Sequence, residues 1–179
     1  MTPVNGWFLI PRLKVAMQGC LILGADPGLI TTGLGLIEAR GGHCFYRGAE
    51  IISPPRTATL AHRLDHLFSK TRAFLQTHHP AFMVVEKLIH VQNAQVALKL
   101  GHARGVLLLA AARCNVPVID YTPREVKLAV SGNGAASKEQ IQRMVQAVLS
   151  MTTLPAPHDV ADGLALAICH AHRTMKAQT

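Results

Sequence analysis

The order of apolar segments from Leu21 onward limits the folds that this chain can adopt. Buried strands are predicted over 21–25, 33–39 and 43–52, and the Gly41-Gly42 pair between the last two is a hairpin signal. Three neighbouring strands with short connections predict an antiparallel meander. Because helices and strands then alternate, we expect an α/β fold: a five-stranded mixed sheet, antiparallel meander plus parallel strands, flanked by helices on both faces.

The later elements follow from apolar periodicity and from capping residues. A helical period runs from Leu60 to Leu75, a buried strand is predicted over 82–85, and a fifth strand over 116–119. A long helix is expected from about Gln92 to Arg113, with these residues facing inward: Val96, Leu100, Ala103, Leu107 and Ala110. Capping boxes at Thr122 and Ser137 each predict the start of a helix, and the last helix is expected over about 158–172.

The N-terminal residues differ from the rest of the chain. Residues 1–19 contain two prolines and no sustained period, so we expect a poorly ordered extension or a misassigned start, with Met17 as the alternative start. Residues 20–175 are expected to form a single domain, since a chain of 179 residues favours one core.

The charge balance points to a polyanionic partner. The net charge is +8 and the pI is about 9.8, which favours nucleic acid first and an anionic membrane second. No run approaches the roughly 18 apolar residues that a membrane span needs. A secretory signal is not expected either, because Arg12 and Lys14 follow the short apolar stretch over 7–10.

The cysteines predict a reducing compartment. The four cysteines form no CxxC pair and have no zinc-site spacing: Cys20, Cys44, Cys114 and Cys169. They are expected to be buried apolar thiols, and the cytoplasm is the expected location.

Four of the ten acidic residues stand at the ends of core elements. Asp26 follows the first strand, Glu86 follows the fourth, and Asp159 and Asp162 open the last helix. Buried carboxylates are costly unless they are paired or bind metal. Oxygen ligands favour Mg²⁺ or Mn²⁺ over Zn²⁺, and two such ions roughly 3.5–4 Å apart support phosphodiester cleavage. His158 is a further candidate ligand on the same helix face.

Each acid also has a purely structural interpretation. Asp26 could cap a turn, Asp159 and Asp162 could cap their helix, and Glu86 could pair with Lys87 or Arg124. The glycines after Asp26 would let a phosphate approach the backbone, which also resembles the first phosphate loop of actin-like ATPases: Gly28, Gly33 and Gly35. That class generally needs two such lobes, and no second phosphate loop appears in this sequence.

Four blocks together resemble the RuvC family of Holliday junction resolvases. The blocks are Leu23-Gly24-Ala25-Asp26-Pro27-Gly28 with Thr32-Gly33-Leu34-Gly35, then Val85-Glu86, then residues 97–105, then Asp159-Val160-Ala161-Asp162-Gly163-Leu164-Ala165. The resemblance covers roughly residues 21–173.

The resemblance implies an RNase H-like fold, a homodimer and Mg²⁺-dependent paired nicking of four-way DNA junctions, which leaves 5′-phosphate and 3′-hydroxyl ends. It places the catalytic, metal-binding acids at Asp26, Glu86, Asp159 and Asp162, with two ions for each site. It places catalytic, DNA-contacting lysines at Lys127 and Lys138, and it names the RuvA and RuvB branch-migration proteins as partners. Further DNA contacts are expected at Lys87, Ile89 and Arg124.

Two positions depart from the family pattern. Ile89 stands where relatives often have an aromatic residue that stacks on a junction base. Some relatives have histidine in the last ligand pair, so both His158 and Asp159 are candidates, and we assign the role to Asp159. A junction-binding protein without catalysis remains the main alternative, because a basic chain fits it equally well.

Overall fold

The computed structural model describes residues 19–89 and 93–176, which form one sheet and the helices around it. The strands are β1 (Cys20–Asp26), β2 (Thr32–Arg40), β3 (His43–Ile52), β4 (Phe82–Glu86) and β5 (Val118–Tyr121). The helices are α1 (Leu60–His78), α2 (Ala94–Arg113), α3 (Pro123–Ser131), α4 (Lys138–Val148) and α5 (His158–Lys176). The expected extension over 1–19, apart from Gly19, and the expected helix start at Gln92 lie outside the described residues.

The sheet has the mixed topology that the sequence predicts. Its strand order is β3-β2-β1-β4-β5. The β1, β2 and β3 strands form the antiparallel meander, whereas β4 runs parallel to both β1 and β5. The five-stranded mixed sheet is therefore confirmed, and it places the carboxyl ends of β1, β4 and β5 along one edge.

Helices cover both faces of the sheet. One core contains side chains of α3, α4 and α5, including Val126, Val145 and Leu164. The other contains side chains of α1 and α2, including Leu67 and Leu107. Each helix contributes an apolar stripe to its core, so the predicted arrangement with helices on both faces is confirmed.

Glycines let α5 lie directly on the meander. A Cβ atom added to Gly24 would lie 1.8 Å from the carbonyl oxygen of Gly163, and one added to Gly33 would lie 1.9 Å from that of Asp159. One added to Gly35 would lie 2.5 Å from the backbone nitrogen of Leu164. The expectation that Gly33 and Gly35 admit a phosphate is therefore wrong, because the backbone of α5 occupies that space.

The fifth strand lies two residues later than the sequence predicts. Its pairing with β4 runs from Met83 opposite Val118 to Glu86 opposite Tyr121, not over 116–119. The apolar run was a poor guide because β5 is an edge strand, and its Asp120 is exposed. The later end places Thr122 and the start of α3 next to Glu86.

Two burial predictions also need correction. Val96 was expected to face the core of the molecule but is 45% exposed, and Leu100 is only half-buried. The buried side chains of α2 begin only at Ala103, so the first turns of this helix lie outside the core. Cys114 is half-buried, whereas Cys20, Cys44 and Cys169 are buried, and all four are free thiols.

Of the helices within the described residues, none combines the length and the apolar character that crossing a bilayer requires.

Candidate active site

The parallel pairing of β1 and β4 brings the first two acids together. Ala25 lies opposite Val85 in the register, and Asp26 and Glu86 are the next residues of their strands. Both carboxylates therefore leave the sheet at the same edge, as neighbours on adjacent strands. Sequence segments about 60 residues apart meet here because a parallel connection returns each strand to the same edge.

Three helices bring the other charged side chains to this edge. Helix α5 supplies Asp162, α3 supplies Lys127, and α4 begins at Lys138. Both predicted capping boxes form, with Thr122 and Ser137 as N-caps. A cavity of about 330 Å³ results, and it is lined by Asp26, Glu86, Asp162, Lys127 and Lys138, with apolar walls from α3, α4 and α5. Five of the predicted site residues therefore converge in one cavity.

The environment of Asp26 strongly disfavours a negative charge. The pKa of Asp26 is raised to about 7, first by burial and then by the charges of Asp162, Glu86 and Asp159, in that order of importance. Lys138 acts in the opposite direction. Three acids thus crowd a carboxylate that is largely shielded from water, and the cluster carries more negative charge than its own cations neutralise.

Glu86 and Lys138 respond to the same cluster. Burial raises the pKa of Glu86, and Asp162 adds to the effect, whereas Lys138 and Lys127 lower it. The Nζ atom of Lys138 lies 3.5 Å from Oδ2 of Asp162, and this carboxylate raises the pKa of Lys138. The structural interpretation of Glu86 is not supported: among the described residues, neither Lys87 nor Arg124 forms an ion pair with it.

Asp159 is held differently from the other acids. It lies in the first turn of α5, and its Oδ2 atom accepts a short hydrogen bond from the hydroxyl of Thr31. It does not line the cavity. Its charge nevertheless raises the pKa of Asp26, so the two carboxylates are close enough to repel each other.

The donor set suits a hard divalent cation. Asp26, Glu86 and Asp162 offer only oxygen ligands, and their mutual repulsion is the charge that a cation would neutralise. Within the described residues, no three histidine, cysteine, aspartate or glutamate side chains are already close enough to enclose an ion. The fit to a metal therefore rests on ligand chemistry and charge, with side-chain adjustment needed to close the site.

The remaining predicted site residues do not line the cavity. His158, at the first position of α5, is exposed. Arg124 and Lys87 are exposed, and Ile89 is 44% exposed. These positions are accessible to a large ligand that covers the cavity.

Thr31 is the residue near the site that sequence reasoning missed. It lies between Asp26 and Gly33, in a segment where the glycines and the acid gave the only chemical signal. Its partner Asp159 is 128 residues away, and no periodicity or motif links a lone threonine to such a distant carboxylate.

Comparisons with known proteins agree on one protein family. The family model described as crossover junction endodeoxyribonuclease RuvC matches residues 22–170. The RuvC protein of Moorella thermoacetica is 48% identical over 151 residues, which is 84% of this chain and 90% of that protein. That of Desulfitobacterium hafniense is 45% identical over 152 residues, 85% of this chain and 92% of that protein.

Solved structures agree with the sequence comparisons. The structure of Thermus thermophilus RuvC in complex with Holliday junction substrate matches with a TM-score of 0.84 and 30% identity, and the match covers 88% of this chain and 96% of that one. The yeast mitochondrial resolvase Ydc2 matches with a TM-score of 0.63 but only 11% identity, so that likeness shows the fold alone. The expected RNase H-like fold is confirmed. The chain belongs to the RuvC family of crossover junction endodeoxyribonucleases.

Proposed function

We propose that this chain is a structure-selective DNA endonuclease that resolves Holliday junctions in recombination and repair. Residues 20–175 act as one nuclease domain, which nicks two strands of like polarity and leaves 5′-phosphate and 3′-hydroxyl ends. The observation that carries the proposal is the meeting of Asp26, Glu86 and Asp162 with Lys127 and Lys138 in one cavity. The junction bound in the T. thermophilus structure supports the choice of substrate.

The acids would hold Mg²⁺, or Mn²⁺ as a substitute, with two ions for each site. Asp26 and Glu86 would bind one ion, while Asp159 and Asp162 would complete the second site with Asp26. Bound divalent cations supply an activated water and stabilise the charge on the leaving oxygen. The burial of Asp26 strengthens its interaction with a cation, because an apolar environment screens charges less than water does.

The lysines would hold the scissile phosphate. Lys127 and Lys138 flank the cavity from α3 and α4, so a phosphate above the acids would lie between two ammonium groups. Asp162 now holds Lys138, which keeps this ammonium group beside the acids. The two ammonium groups would offset the negative charge that develops on the phosphate during cleavage. Lys87, Ile89 and Arg124 would contact the DNA on either side.

Nicking of a synthetic four-way junction tests the assignment. The wild-type protein should nick it only with Mg²⁺ or Mn²⁺, and Asp26→Asn should abolish nicking while it retains junction binding. Asp65→Asn is a matched control, because Asp65 is an exposed acid on α1. Metal-dependent nicking by Asp26→Asn at the wild-type rate would refute the catalytic assignment. Binding without nicking by the wild-type protein would favour the non-catalytic alternative.

We also propose that the outer face of α2 pairs with a second copy of the chain. Leu98 and Leu109 on this face are 62% and 50% exposed, and they lie in line with Gly101 and Gly105. Within the described residues, no atom outside the surrounding turns of α2 lies within 4 Å of a Cβ added at either glycine, so a partner backbone could approach closely. A dimer would cover this apolar strip and would supply two sites for the two nicks.

The oligomeric state tests this interface. Leu98→Asp and Leu109→Asp should convert a dimer to a monomer in sedimentation equilibrium, and they should uncouple the two nicks. Leu60→Asp on α1 is the control, since Leu60 is 45% exposed on another helix. A wild-type monomer at all concentrations, or dimeric variants, would contradict the interface.

A further assignment comes from the family resemblance. RuvA and RuvB are the proposed partners, and co-purification of the chain with a RuvA-RuvB-junction complex tests this. The cytoplasm is the proposed compartment, which agrees with four free cysteines.

A further inference from the structure

Asp159 has a single hydrogen-bond donor within the described part of the chain. The hydroxyl of Thr31 donates to Oδ2 of Asp159, while Oδ1 accepts no hydrogen bond there. Both residues are half-buried. A carboxylate has two oxygens with about two acceptor positions each, so this contact leaves one oxygen for another ligand.

The loop that carries Thr31 is fixed by its own contacts. The hydroxyl of Thr32 donates to the carbonyl oxygen of Gly28 at 2.8 Å, and its oxygen accepts from the Gly28 amide at 3.1 Å. The guanidinium of Arg63, on α1, donates to the carbonyl oxygen of Leu29. These hydrogen bonds fix the loop, so the hydroxyl of Thr31 has a defined position.

The surroundings of Asp159 would otherwise drive its carboxylate away from the site. Asp159 is close enough to Asp26 to repel it, and Asp162 lies one turn along the same helix. At the half-exposed first turn of α5, an untethered carboxylate would turn toward water. The backbone itself is held in place, because Gly33 lets the carbonyl of Asp159 pack against β2. Only the side chain needs a separate restraint.

We propose that Thr31 is a positioning residue for the metal site: its hydroxyl holds Asp159 beside Asp26, so that one oxygen of Asp159 faces a divalent cation. This inference rests on the proposed function, in which Asp159 is a ligand. Carboxylate ligands are commonly held by an outer hydrogen bond, and loss of such a partner typically lowers metal affinity by about 10- to 100-fold.

Binding of Mn²⁺ alone to the DNA-free protein, measured by calorimetry, tests the proposal. Thr31→Val keeps the shape and removes the hydroxyl, so its Kd for Mn²⁺ should rise by about 10- to 100-fold. Thr31→Ser keeps the hydroxyl and should remain within about threefold of the wild-type Kd. Thr153→Val is a matched control, because Thr153 is an exposed loop threonine. Thr31→Ala serves in place of Thr31→Val if the valine variant does not fold.

Nicking assays give a second readout that a merely structural role would not produce. In Thr31→Val the Mn²⁺ concentration for half-maximal nicking should rise, while the rate at saturating Mn²⁺ recovers toward the wild-type rate. An unchanged or lower Kd in Thr31→Val, or equal losses in Thr31→Ser, would overturn the role of Thr31. If the wild-type protein binds no Mn²⁺ that depends on Asp26, the proposed metal site itself fails, and this inference fails with it.

Discussion

The guanidinium group of Arg173 lies 3.1 Å from the carboxylate of Glu125, which ties α5 to the first turn of α3. The same guanidinium lies 5.1 Å from the ring centroid of Tyr121, and the imidazole Nδ1 of His172 donates to the carbonyl oxygen of Ala129 at 2.9 Å. Since α5 carries Asp162 and α3 carries Lys127, these contacts hold an acid and a lysine of the cavity in a common frame.

Loss of the Arg173 contact should affect turnover more than stability. The pair is 48% and 38% exposed, so Arg173→Met should lower the free energy of unfolding by at most about 1 kcal/mol. A shift of Lys127 relative to the acids should still reduce junction nicking at saturating DNA by up to about tenfold. Urea unfolding and single-turnover nicking measure the two effects, and Arg173→Lys should recover part of the rate. If Arg173→Met lost stability but kept the full nicking rate, Arg173 would not control the position of Lys127 relative to the acids.

Removal of the Asp26 charge should stabilise the cation-free protein. Burial and three neighbouring acids oppose the charged form of Asp26, so Asp26→Asn relieves a cost of folding at pH 8. We expect the melting temperature in a chelator to rise by about 2–4 °C, which corresponds to roughly 1 kcal/mol in a chain of this size. Added Mg²⁺ should raise the melting temperature of the wild-type protein but not of this variant. A lower melting temperature of the variant in chelator would contradict this account of the cluster.

The pattern of apolar residues alone predicts most of the fold. The Gly41-Gly42 turn signal predicts the β2–β3 hairpin of the meander. The apolar runs of β1 and β4 predict a sheet covered by helices, because strands that are buried on both faces require such runs. The same reasoning misplaced β5, since an edge strand can end in exposed residues such as Asp120. It also placed Val96 in the core, since periodicity does not show how far along a helix the core extends.

The site was predictable in its charged residues but not in their arrangement. Because carboxylates are rarely buried, Asp26 and Glu86 at the ends of buried strands indicate a functional site. The role of Gly33 was misassigned, because only the folded chain shows α5 crossing the meander there. Thr31 was missed for a related reason: its proposed role depends on a contact between a loop and a helix that are 128 residues apart, rather than on a local spacing.

The close packing of α5 on the meander should make Gly24 intolerant of any side chain. The added methyl group of Gly24→Ala would lie 1.8 Å from a backbone oxygen, which cannot move without the helix. We expect the free energy of unfolding to fall by at least about 3 kcal/mol. Ser69→Ala is the control, since Ser69 is exposed on α1, and its free energy of unfolding should stay within about 0.5 kcal/mol of the wild-type value. Urea unfolding compares the two, and a Gly24→Ala variant of wild-type stability would contradict the packing.

The buried imidazole of His170 should make the fold sensitive to acid. His170 is 5% exposed, its Nδ1 atom shares a hydrogen bond with the Tyr121 hydroxyl, and its Nε2 atom has no partner within the described residues. Burial lowers the pKa of His170 to about 4, below the usual 6.5, so the unfolded chain takes up a proton first as the pH falls.

This difference predicts that the free energy of unfolding decreases as the pH falls from about 6.5 to about 4, by up to about 3 kcal/mol. Above pH 6.5 both states are neutral and the effect disappears. Urea unfolding of wild type and His170→Gln across this range isolates the contribution, because the other titrating groups are common to both. The stability difference between the two proteins should change with pH only in that window, and parallel profiles would contradict the assignment.

An aromatic side chain at position 89 should strengthen the contact with the junction. Ile89 is 44% exposed and lies three residues after Glu86, the last residue of β4, which lines the cavity. An aliphatic side chain can wedge between bases, but it offers no π face for stacking. Ile89→Phe should therefore tighten junction binding by several-fold, since stacking on a base contributes about 1–3 kcal/mol. Fluorescence of 2-aminopurine at the crossover should rise as bases unstack, and Leu128→Phe, at a 54% exposed position of α3, serves as the control. Equal affinity and equal fluorescence for Ile89→Phe and the wild-type protein would show that this position does not touch the unpaired bases.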